Sequence, residues 1–277
     1  MEKKLDISVI SPVFNELENL ETFVESVTAV MNSTNMSWEL IIVDDGSNDG
    51  SSKILKKIGH QENIRSILLS KNYGQTTAIQ AGFDNAVGEY FVTLDSDLQN
   101  DPKDIPMLIQ KLINEVLDLV VGWRKDRKDN YFFRNLPSIL ANKLIGTITG
   151  VKLHDYGCSL KAYRAEVLKE VKLYGEMHRF IPAWMATKIP ASKISEIEVT
   201  HHPRIAGESK YGISRTFRVF VDLISVYFFM KFFSKPGHFF GLIGLLLSSL
   251  GALILIYLIS LKLFYGFDIG DRPLLIA

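Results

Sequence analysis

Short apolar runs alternate with amphipathic stretches through the first half of the chain, a pattern typical of strands followed by helices. The apolar runs predict strands over Ile7–Val13, Trp38–Val43, Ile64–Leu69, Tyr90–Leu94 and Leu117–Val121. The stretches between them predict helices over 15–32, around Ile54–Ile58, over 76–86 and over 102–116. This β-α-β-α order favours an α/β fold, with a mostly parallel sheet flanked by helices.

Polar residues follow several of the predicted strands, at Asn15–Glu16, Asp44–Asp45, Asn72 and Asp95–Asp101. Ligands of open, mostly parallel sheets bind beyond the carboxyl ends of the strands. We therefore expect these polar loops to meet at one edge of the sheet and to form a ligand site there.

The composition changes near the C-terminus, where no residue between Phe239 and Leu261 is charged. Such a run can span a hydrocarbon core of ~30 Å, whereas a buried core helix of this length usually carries some polar residues. The Phe-rich stretch 214–233 has a helical pattern with interspersed charges, which suits a helix at the membrane interface. Basic side chains are more numerous before the apolar run than after it, which predicts a cytoplasmic N-terminal domain on the cell (inner) membrane.

The predicted organisation therefore has three parts: a cytoplasmic domain over 1–213, an amphipathic interfacial helix over 214–235 and a transmembrane region over 236–277. Within the last part we expect one helix over about 239–261. The terminal letters RPLLIA look like the start of a second helix near 273, so we expect a truncated hairpin and a multi-pass full-length protein.

Composition excludes several other classes. The 277 residues carry a net charge of zero, which points to no particular partner, and we expect no nucleic-acid partner. The single cysteine, Cys158, rules out an intramolecular disulfide and a cysteine-based zinc cluster. The sequence has neither G-x-G-x-x-G after its first strand nor G-x-x-x-x-G-K-[ST], so dinucleotide-binding and P-loop chemistry are not supported.

The loop VTLDSDLQNDP places several carboxylates close together, which is unfavourable without a neutralising partner. A calcium hand would need glycine and glutamate where the loop has Asn100 and Pro106, so that site is excluded. A solvated turn and a divalent cation bound together with substrate phosphates both stay open. Asp44 and Asp45, in DDGSNDGS, are likewise either nucleotide ligands or helix-capping residues.

The motifs SVISPVFNE, IIVDDGSNDGS, SKNYGQTTAIQAG and VTLDSDLQNDP resemble the signatures of family 2 glycosyltransferases with the GT-A fold. The later motifs GWRK, DYGCSLKAYR and HHPRIAGESKYG, followed by membrane helices, are similar to those of the polyprenyl-phosphate glycosyltransferases. That group contains dolichol-phosphate mannose synthase and bacterial bactoprenol glucosyltransferases. The resemblance covers essentially the whole chain.

The resemblance implies roles for individual residues. The nucleotide-sugar ligands would be Pro12, Phe14, Glu16, Val43, Asp44, Asp45, Asp95, Ser96, Asp97, Arg124, Arg204 and Lys210. The ligands of Mg²⁺ or Mn²⁺ would be Asp95, Asp97 and Gln99. The acceptor phosphate would be bound by Arg134, Ser138, Arg204 and Lys210. The catalytic residues would be Asp97, Arg124 and Asp155, although Asp155 can also be read as a turn residue before Gly157.

The implied reaction is inverting transfer of a sugar from a nucleotide diphosphate sugar to polyprenyl (undecaprenyl) phosphate at the lipid bilayer. UDP-glucose is the favoured donor, with GDP-mannose or a UDP-N-acetylhexosamine as alternatives. A general base is less necessary than for an alcohol acceptor, because a phosphate monoester has its second pKa near ~6. A processive polysaccharide synthase is disfavoured because Q-x-x-R-W is absent, and a non-catalytic membrane adaptor because the acidic motif is intact. We also expect a homo-oligomer.

Overall fold

The computed structural model describes residues 5–125, 145–147, 150–173, 175–203, 221, 224–225, 227–229, 231–232 and 235–266. The chain divides into two compact units, residues 1–223 and residues 224–277.

The apolar runs of the first unit pair side by side because their backbone groups must be hydrogen-bonded once they are buried. The described residues form a seven-stranded sheet: β1 Ile7–Val13, β2 Trp38–Asp44, β3 Ile64–Leu68, β4 Tyr90–Thr93, β5 Leu119–Trp123, β6 Lys161–Arg164 and β7 Ile194–Glu198. The strand order is β3-β2-β1-β4-β6-β5-β7, and β6 lies antiparallel between β4 and β5. The other pairs are parallel.

Helices cover the sheet and bury its apolar strands. In the part of the first unit that the structure describes, the bounded helices are α1 Leu17–Asn32, α2 Ser51–Ile58, α3 Gln75–Asn85, α4 Ile105–Asn114, α5 Ala165–Leu168 and α6 Ile181–Met185. Short 3₁₀ turns span Pro102–Asp104, Met177–Phe180 and Ala191–Lys193. All of β2 is buried, and α3 packs against both β1 and β2. The predicted mostly parallel α/β sheet flanked by helices is confirmed.

The predicted elements of the first half agree with the structure to within about two residues. The helix expected over 102–116 begins as the 3₁₀ turn, where Asp101 caps the chain by accepting a hydrogen bond from the Lys103 N–H at 3.0 Å. Strands β6 and β7 were not predicted, because β6 is short and charged and β7 carries polar side chains between its apolar ones.

The second unit contains α7, Pro236–Tyr265, a helix of 30 residues and about 45 Å. Its apolar side chains are almost all exposed, and its length and composition suffice to cross a membrane. Within the predicted interfacial helix, the described residues 221, 224–225, 227–229 and 231–232 are helical, whereas Lys235 lies just before α7. The predicted start of a second helix near 273 lies outside the described residues.

Candidate active site

The loops that follow the parallel strands meet in a cleft of about 240 Å³ at the carboxyl edge of the sheet. The cleft is lined by Pro12, Val13, Phe14, Glu16, Asp45, Asn72, Gly74, Gln75, Asp95, Ser96 and Asp97. The loops after β1, β2, β3 and β4 all contribute to it. The predicted convergence of the polar loops on one edge is therefore confirmed.

The loop after β1 is fixed to the loop after β2 by reciprocal hydrogen bonds. The backbone N–H of Asn15 donates to Ser47 Oγ at 2.9 Å, and the Asn48 N–H donates to Asn15 Oδ1 at 2.9 Å. Asn15 adopts a φ of 55°, a left-handed conformation that asparagine tolerates better than most residues. This turn holds Phe14 and Glu16 at the cleft wall.

Asp45 organises another part of the cleft lining. Its carboxylate accepts hydrogen bonds from the backbone N–H groups of Tyr73 at 2.7 Å and Gly74 at 2.9 Å. Asp44 accepts from the Ser47 N–H at 3.0 Å and from the Ser52 hydroxyl. The side chain of Asp44 thus stabilises the turn, which is the capping alternative that the sequence left open.

Three described residues predicted to bind the nucleotide sugar, Val43, Asp44 and Arg124, are not part of the cleft lining. Val43 is fully buried within β2, and Asp44 is buried in the turn that follows it. Their contact with a nucleotide stays a prediction, whereas the other predicted ligands from the first four loops, including Ser96, do line the cleft.

The acidic loop after β4 brings Asp95 and Asp97 to the floor of the cleft. Asp95 accepts a hydrogen bond from Gln75 Nε2 at 2.9 Å, and Asp97 accepts one from the backbone N–H of Gln99 at 3.2 Å. Burial and the negative charge of Asp97 raise the pKa of Asp95 to about 6. The two carboxylates therefore repel each other in a partly enclosed site.

This pair fits a divalent cation that arrives with phosphate. Mg²⁺ is commonly held by one or two carboxylates together with substrate phosphates and water. Within the described ranges, no group of three or more His, Cys, Asp or Glu side chains could hold a metal ion. Gln99 does not line the cleft, so its side chain as a third ligand stays a prediction.

Arg124, which follows β5, forms a buried ion pair with Asp155. Arg124 Nε and Nη2 donate to Asp155 Oδ2 and Oδ1 at 2.7 and 3.0 Å. Burial alone would lower the pKa of Arg124, but the Asp155 carboxylate holds it above its ordinary value. The large Trp123 side chain stacks on the His154 ring, with 4.2 Å between the ring centroids. This contact is separate from the Arg124–Asp155 ion pair.

Sequence reasoning missed two residues near this pair. Lys161, on β6, is 3% exposed and its ammonium donates to the carbonyl of Cys158. Its burial lowers its pKa, although the charges of Asp155 and Asp95 act in the opposite direction. His178 lies beside the start of α3, where its Nδ1 is 2.7 Å from Thr76 Oγ1. Lys161 lies within the motif DYGCSLKAYR but was assigned no role there, and His178 lies outside the quoted motifs. The fold brings both from distant parts of the chain.

A further long-range contact supports the acidic loop. The backbone N–H of His202 donates to the carbonyl of Gln99 at 2.7 Å, and Asn100 forms an antiparallel bridge with His201. The segment after β7 thus fixes the loop that carries Asp97. The predicted phosphate ligands Arg134, Ser138, Arg204 and Lys210 lie outside the described residues.

Comparison with known proteins gives this geometry a family. Residues 8–172 match the family described as Glycosyl transferase family 2. Dodecaprenyl-phosphate galacturonate synthase of Rhizobium johnstonii is 55% identical over 277 residues, covering 99% of this chain and 82% of the relative. Undecaprenyl-phosphate 4-deoxy-4-formamido-L-arabinose transferase of Pectobacterium atrosepticum is 38% identical over 263 residues, covering 94% of this chain and 78% of the relative.

Solved structures agree on the fold. Glucosyl-3-phosphoglycerate synthase of Mycobacterium tuberculosis in complex with UDP has a TM-score of 0.62 at 20% identity, covering 80% of each chain. The same enzyme with Mn²⁺ and UDP-glucose has a TM-score of 0.61 at 18% identity, covering 82% of this chain and 79% of that one. The relatives confirm the resemblance to polyprenyl-phosphate glycosyltransferases. They also confirm the prediction that the chain is an enzyme. The chain belongs to glycosyl transferase family 2 and is a glycosyltransferase with the GT-A fold.

Proposed function

We propose that this chain transfers a sugar from a nucleoside diphosphate sugar to a polyprenyl phosphate at a membrane surface. The observation that carries the proposal is the cleft, in which a partly buried acidic pair lies beside a loop network suited to a nucleotide. The names of the relatives support a polyprenyl-phosphate acceptor. The apolar helix α7 supports a membrane location, where such an acceptor resides.

The donor we propose is UDP-galacturonic acid. The supporting relative is 55% identical across nearly the whole chain, and its name specifies galacturonate. UDP in the structural neighbours favours a uridine nucleotide. UDP-glucose, the donor favoured by the sequence, is the competing candidate.

Asp95 and Asp97 would hold a divalent cation, Mg²⁺ or Mn²⁺, which when bound would offset the negative charge of the diphosphate leaving group. The other contributions come from the chain itself. Asp45 keeps the Tyr73–Gly74 backbone in place and so shapes the nucleotide side of the cleft. Phe14 and Glu16 also line the cleft.

Arg124 would stabilise the negative charge that develops on the diphosphate as the sugar leaves. Asp155 holds the guanidinium with two hydrogen bonds, so we assign Asp155 a positioning role in place of a general base. In the proposed step an acceptor phosphate oxygen bonds to the anomeric carbon from one face while the bond to the diphosphate oxygen breaks on the other. The acceptor is already largely dianionic at neutral pH, so no proton needs to be removed.

A donor panel tests this function. The full chain is reconstituted in liposomes with polyprenyl phosphate, Mg²⁺ or Mn²⁺, and one labelled donor at a time. The donors are UDP-galacturonic acid, UDP-glucose, a UDP-N-acetylhexosamine and GDP-mannose. We expect label in the organic phase, with UDP-galacturonic acid the best donor and Asp97→Asn inactive.

Each other outcome has a definite meaning. Equal or better transfer from UDP-glucose would overturn the donor assignment while leaving the reaction class intact. Label in a water-soluble polymer would indicate a polysaccharide synthase. Absence of lipid-linked label with every donor would overturn the proposed function.

A further inference from the structure

The 3₁₀ turn Met177–Phe180 lies against the beginning of α3, at the edge of the cleft. His178 Nδ1 is 2.7 Å from Thr76 Oγ1, and the His178 backbone N–H also reaches that oxygen, at 3.4 Å. The residue before Thr76 is Gln75, which lines the cleft and donates to Asp95. His178 is thus one hydrogen bond removed from a helix terminus that forms part of the cleft.

Lys161, on strand β6, links His178 electrostatically to the aspartates of the site. The positive charge of Lys161 acts on the His178 ring, and Lys161 in turn interacts with Asp95 and Asp155. Lys161 therefore interacts both with the His178 ring and with the charged residues of the site, although His178 comes from a separate segment.

The surroundings of Thr76 determine which ring nitrogen carries the proton. Thr76 is 2% exposed, so its hydroxyl hydrogen needs a buried acceptor. The backbone N–H of His178 donates to Thr76 Oγ1, so that contact does not accept the hydroxyl hydrogen. The acceptor within reach of the Thr76 hydroxyl hydrogen is His178 Nδ1. Nδ1 then accepts, and the proton of the neutral ring resides on Nε2. Among the described residues no group takes up that N–H.

The ring stays neutral, which selects the kind of ligand it can bind. Burial, together with the positive charges of Arg179 and Lys161, lowers the pKa of His178 to about 3. Phosphate groups are bound preferentially by cations, whereas a neutral N–H suits an oxygen such as a sugar hydroxyl. The donor sugar must extend from the diphosphate position at Asp95 and Asp97, close to this end of α3.

We infer that His178 is a specificity-determining residue, whose Nε2–H donates a hydrogen bond to an oxygen of the donor sugar while Thr76 fixes its tautomer. This inference rests on the proposed function, because it requires a nucleotide sugar in the cleft. It concerns recognition of the sugar and not of the nucleotide.

Binding measurements that need no transfer test the inference. The dissociation constants of UDP and of UDP-galacturonic acid are measured by calorimetry in Mn²⁺ for the wild type, His178→Ala and His178→Gln. We expect His178→Ala to weaken the binding of UDP-galacturonic acid about tenfold, because one hydrogen bond to the sugar is lost. The affinity for UDP should not change. Glutamine can place an N–H near the position of Nε2, so His178→Gln should recover part of the affinity.

Thr76 supplies the matched pair of variants. Thr76→Val removes the hydroxyl at nearly constant volume and should weaken the UDP-sugar, whereas Thr76→Ser should retain its affinity. Nitrogen chemical shifts of the His178 ring should also report the Nε2–H tautomer in the wild type between about pH 5 and 8.

Equal loss of UDP and UDP-sugar affinity in His178→Ala, or no loss of either, would overturn the inference. The absence of measurable binding of UDP-galacturonic acid to the wild type would also overturn it. If the UDP-sugar binds with the expected dependence on His178 but no lipid product forms, the acceptor part of the proposed function fails while the inference holds.

Discussion

Two aspartates at the end of β4 place like charges close together in the cleft. Burial already disfavours the charged form of Asp95, and the charge of Asp97 adds to that cost. The protein without a bound cation is therefore less stable than it would be with one carboxylate. The acidic pair exchanges some folding stability for affinity toward a cation and a phosphate.

Asp97→Asn should therefore raise the stability of the metal-free protein and abolish its stabilisation by Mn²⁺ with UDP. The free energy of unfolding without metal should rise by about 1 kcal/mol, the scale of one pKa unit, because the repulsion is removed. The increase in melting temperature that Mn²⁺ with UDP causes in the wild type should be lost. Both effects can be read from thermal unfolding with and without Mn²⁺ and UDP.

Asp101→Asn is the control for that experiment. Asp101 caps the following 3₁₀ turn and does not line the cleft, so its variant should keep the stabilisation by Mn²⁺ and UDP. An unchanged response to Mn²⁺ in Asp97→Asn would contradict the assignment of Asp97 as a cation ligand.

Substitution of Asp155 distinguishes a role in positioning Arg124 from a role as general base. Asp155→Asn leaves the buried guanidinium without its counter-charge, so we expect a loss of about 3 kcal/mol in the free energy of unfolding. The rate of transfer should fall at all pH values, and the shape of its pH dependence should not change. Loss of an acidic limb from the pH–rate profile in Asp155→Asn would instead identify a general base.

Among the elements, the loop after β2 depends on a close approach between two backbones. Gly46 has a φ of +70°, and a Cβ there would overlap the backbone of Lys71 and Asn72. Gly74 also has a positive φ, +96°, but a Cβ there would meet nothing within 4 Å. The two glycines therefore differ in packing while sharing an unusual conformation.

Gly46→Ala should lower the free energy of unfolding by about 2–3 kcal/mol, since strain and overlap act together. Gly74→Ala should cost about 1 kcal/mol, from conformation alone. Because the Lys71 segment leads into the cleft, Gly46→Ala should also weaken UDP binding. Urea unfolding and UDP titration of the two variants measure these effects, and equal losses would show that the contact with Lys71 contributes nothing.

The elements that sequence could predict are those with a clear apolar pattern of their own, wherever their partner strands lie in the chain. Strands β1 to β5 and the helices between them have clear apolar periodicity, and their loops meet because parallel strands place their carboxyl ends together. Strands β6 and β7 lack that signal, because β6 is short and charged and β7 carries polar side chains between its apolar ones.

The same distinction holds for the site. Asp45, Asp95 and Asp97 end predicted strands, so local pattern identified them. Lys161 and His178 reach the site from more than 60 residues away from Asp95, and only the folded sheet brings them near it. The sequence also left the partner of Asp155 undetermined, because an ion pair with Arg124 depends on the side-chain geometry at the end of β5.

For the molecule as a whole, we propose that the apolar helix α7 holds the enzyme in a membrane. Its exposed apolar surface is unfavourable in water, and a lipid environment would remove that cost. Arginine at the centre of a membrane span costs about 3 kcal/mol per residue on insertion scales. Leu247 and Leu250 are near the middle of the helix and are 65% and 57% exposed, so replacing them does not disturb a protein core.

The double variant Leu247→Arg/Leu250→Arg should therefore move most of the protein from the carbonate-resistant membrane pellet to the supernatant. The control Leu247→Ala/Leu250→Ala should stay in the pellet, because alanine leaves the span uncharged. UDP affinity should be the same in both variants, since every residue lining the described cleft belongs to the first unit. Transfer to polyprenyl phosphate should fall in the arginine variant alone, because its acceptor remains in the bilayer. A pellet fraction equal to that of the alanine control would show that α7 does not span the membrane.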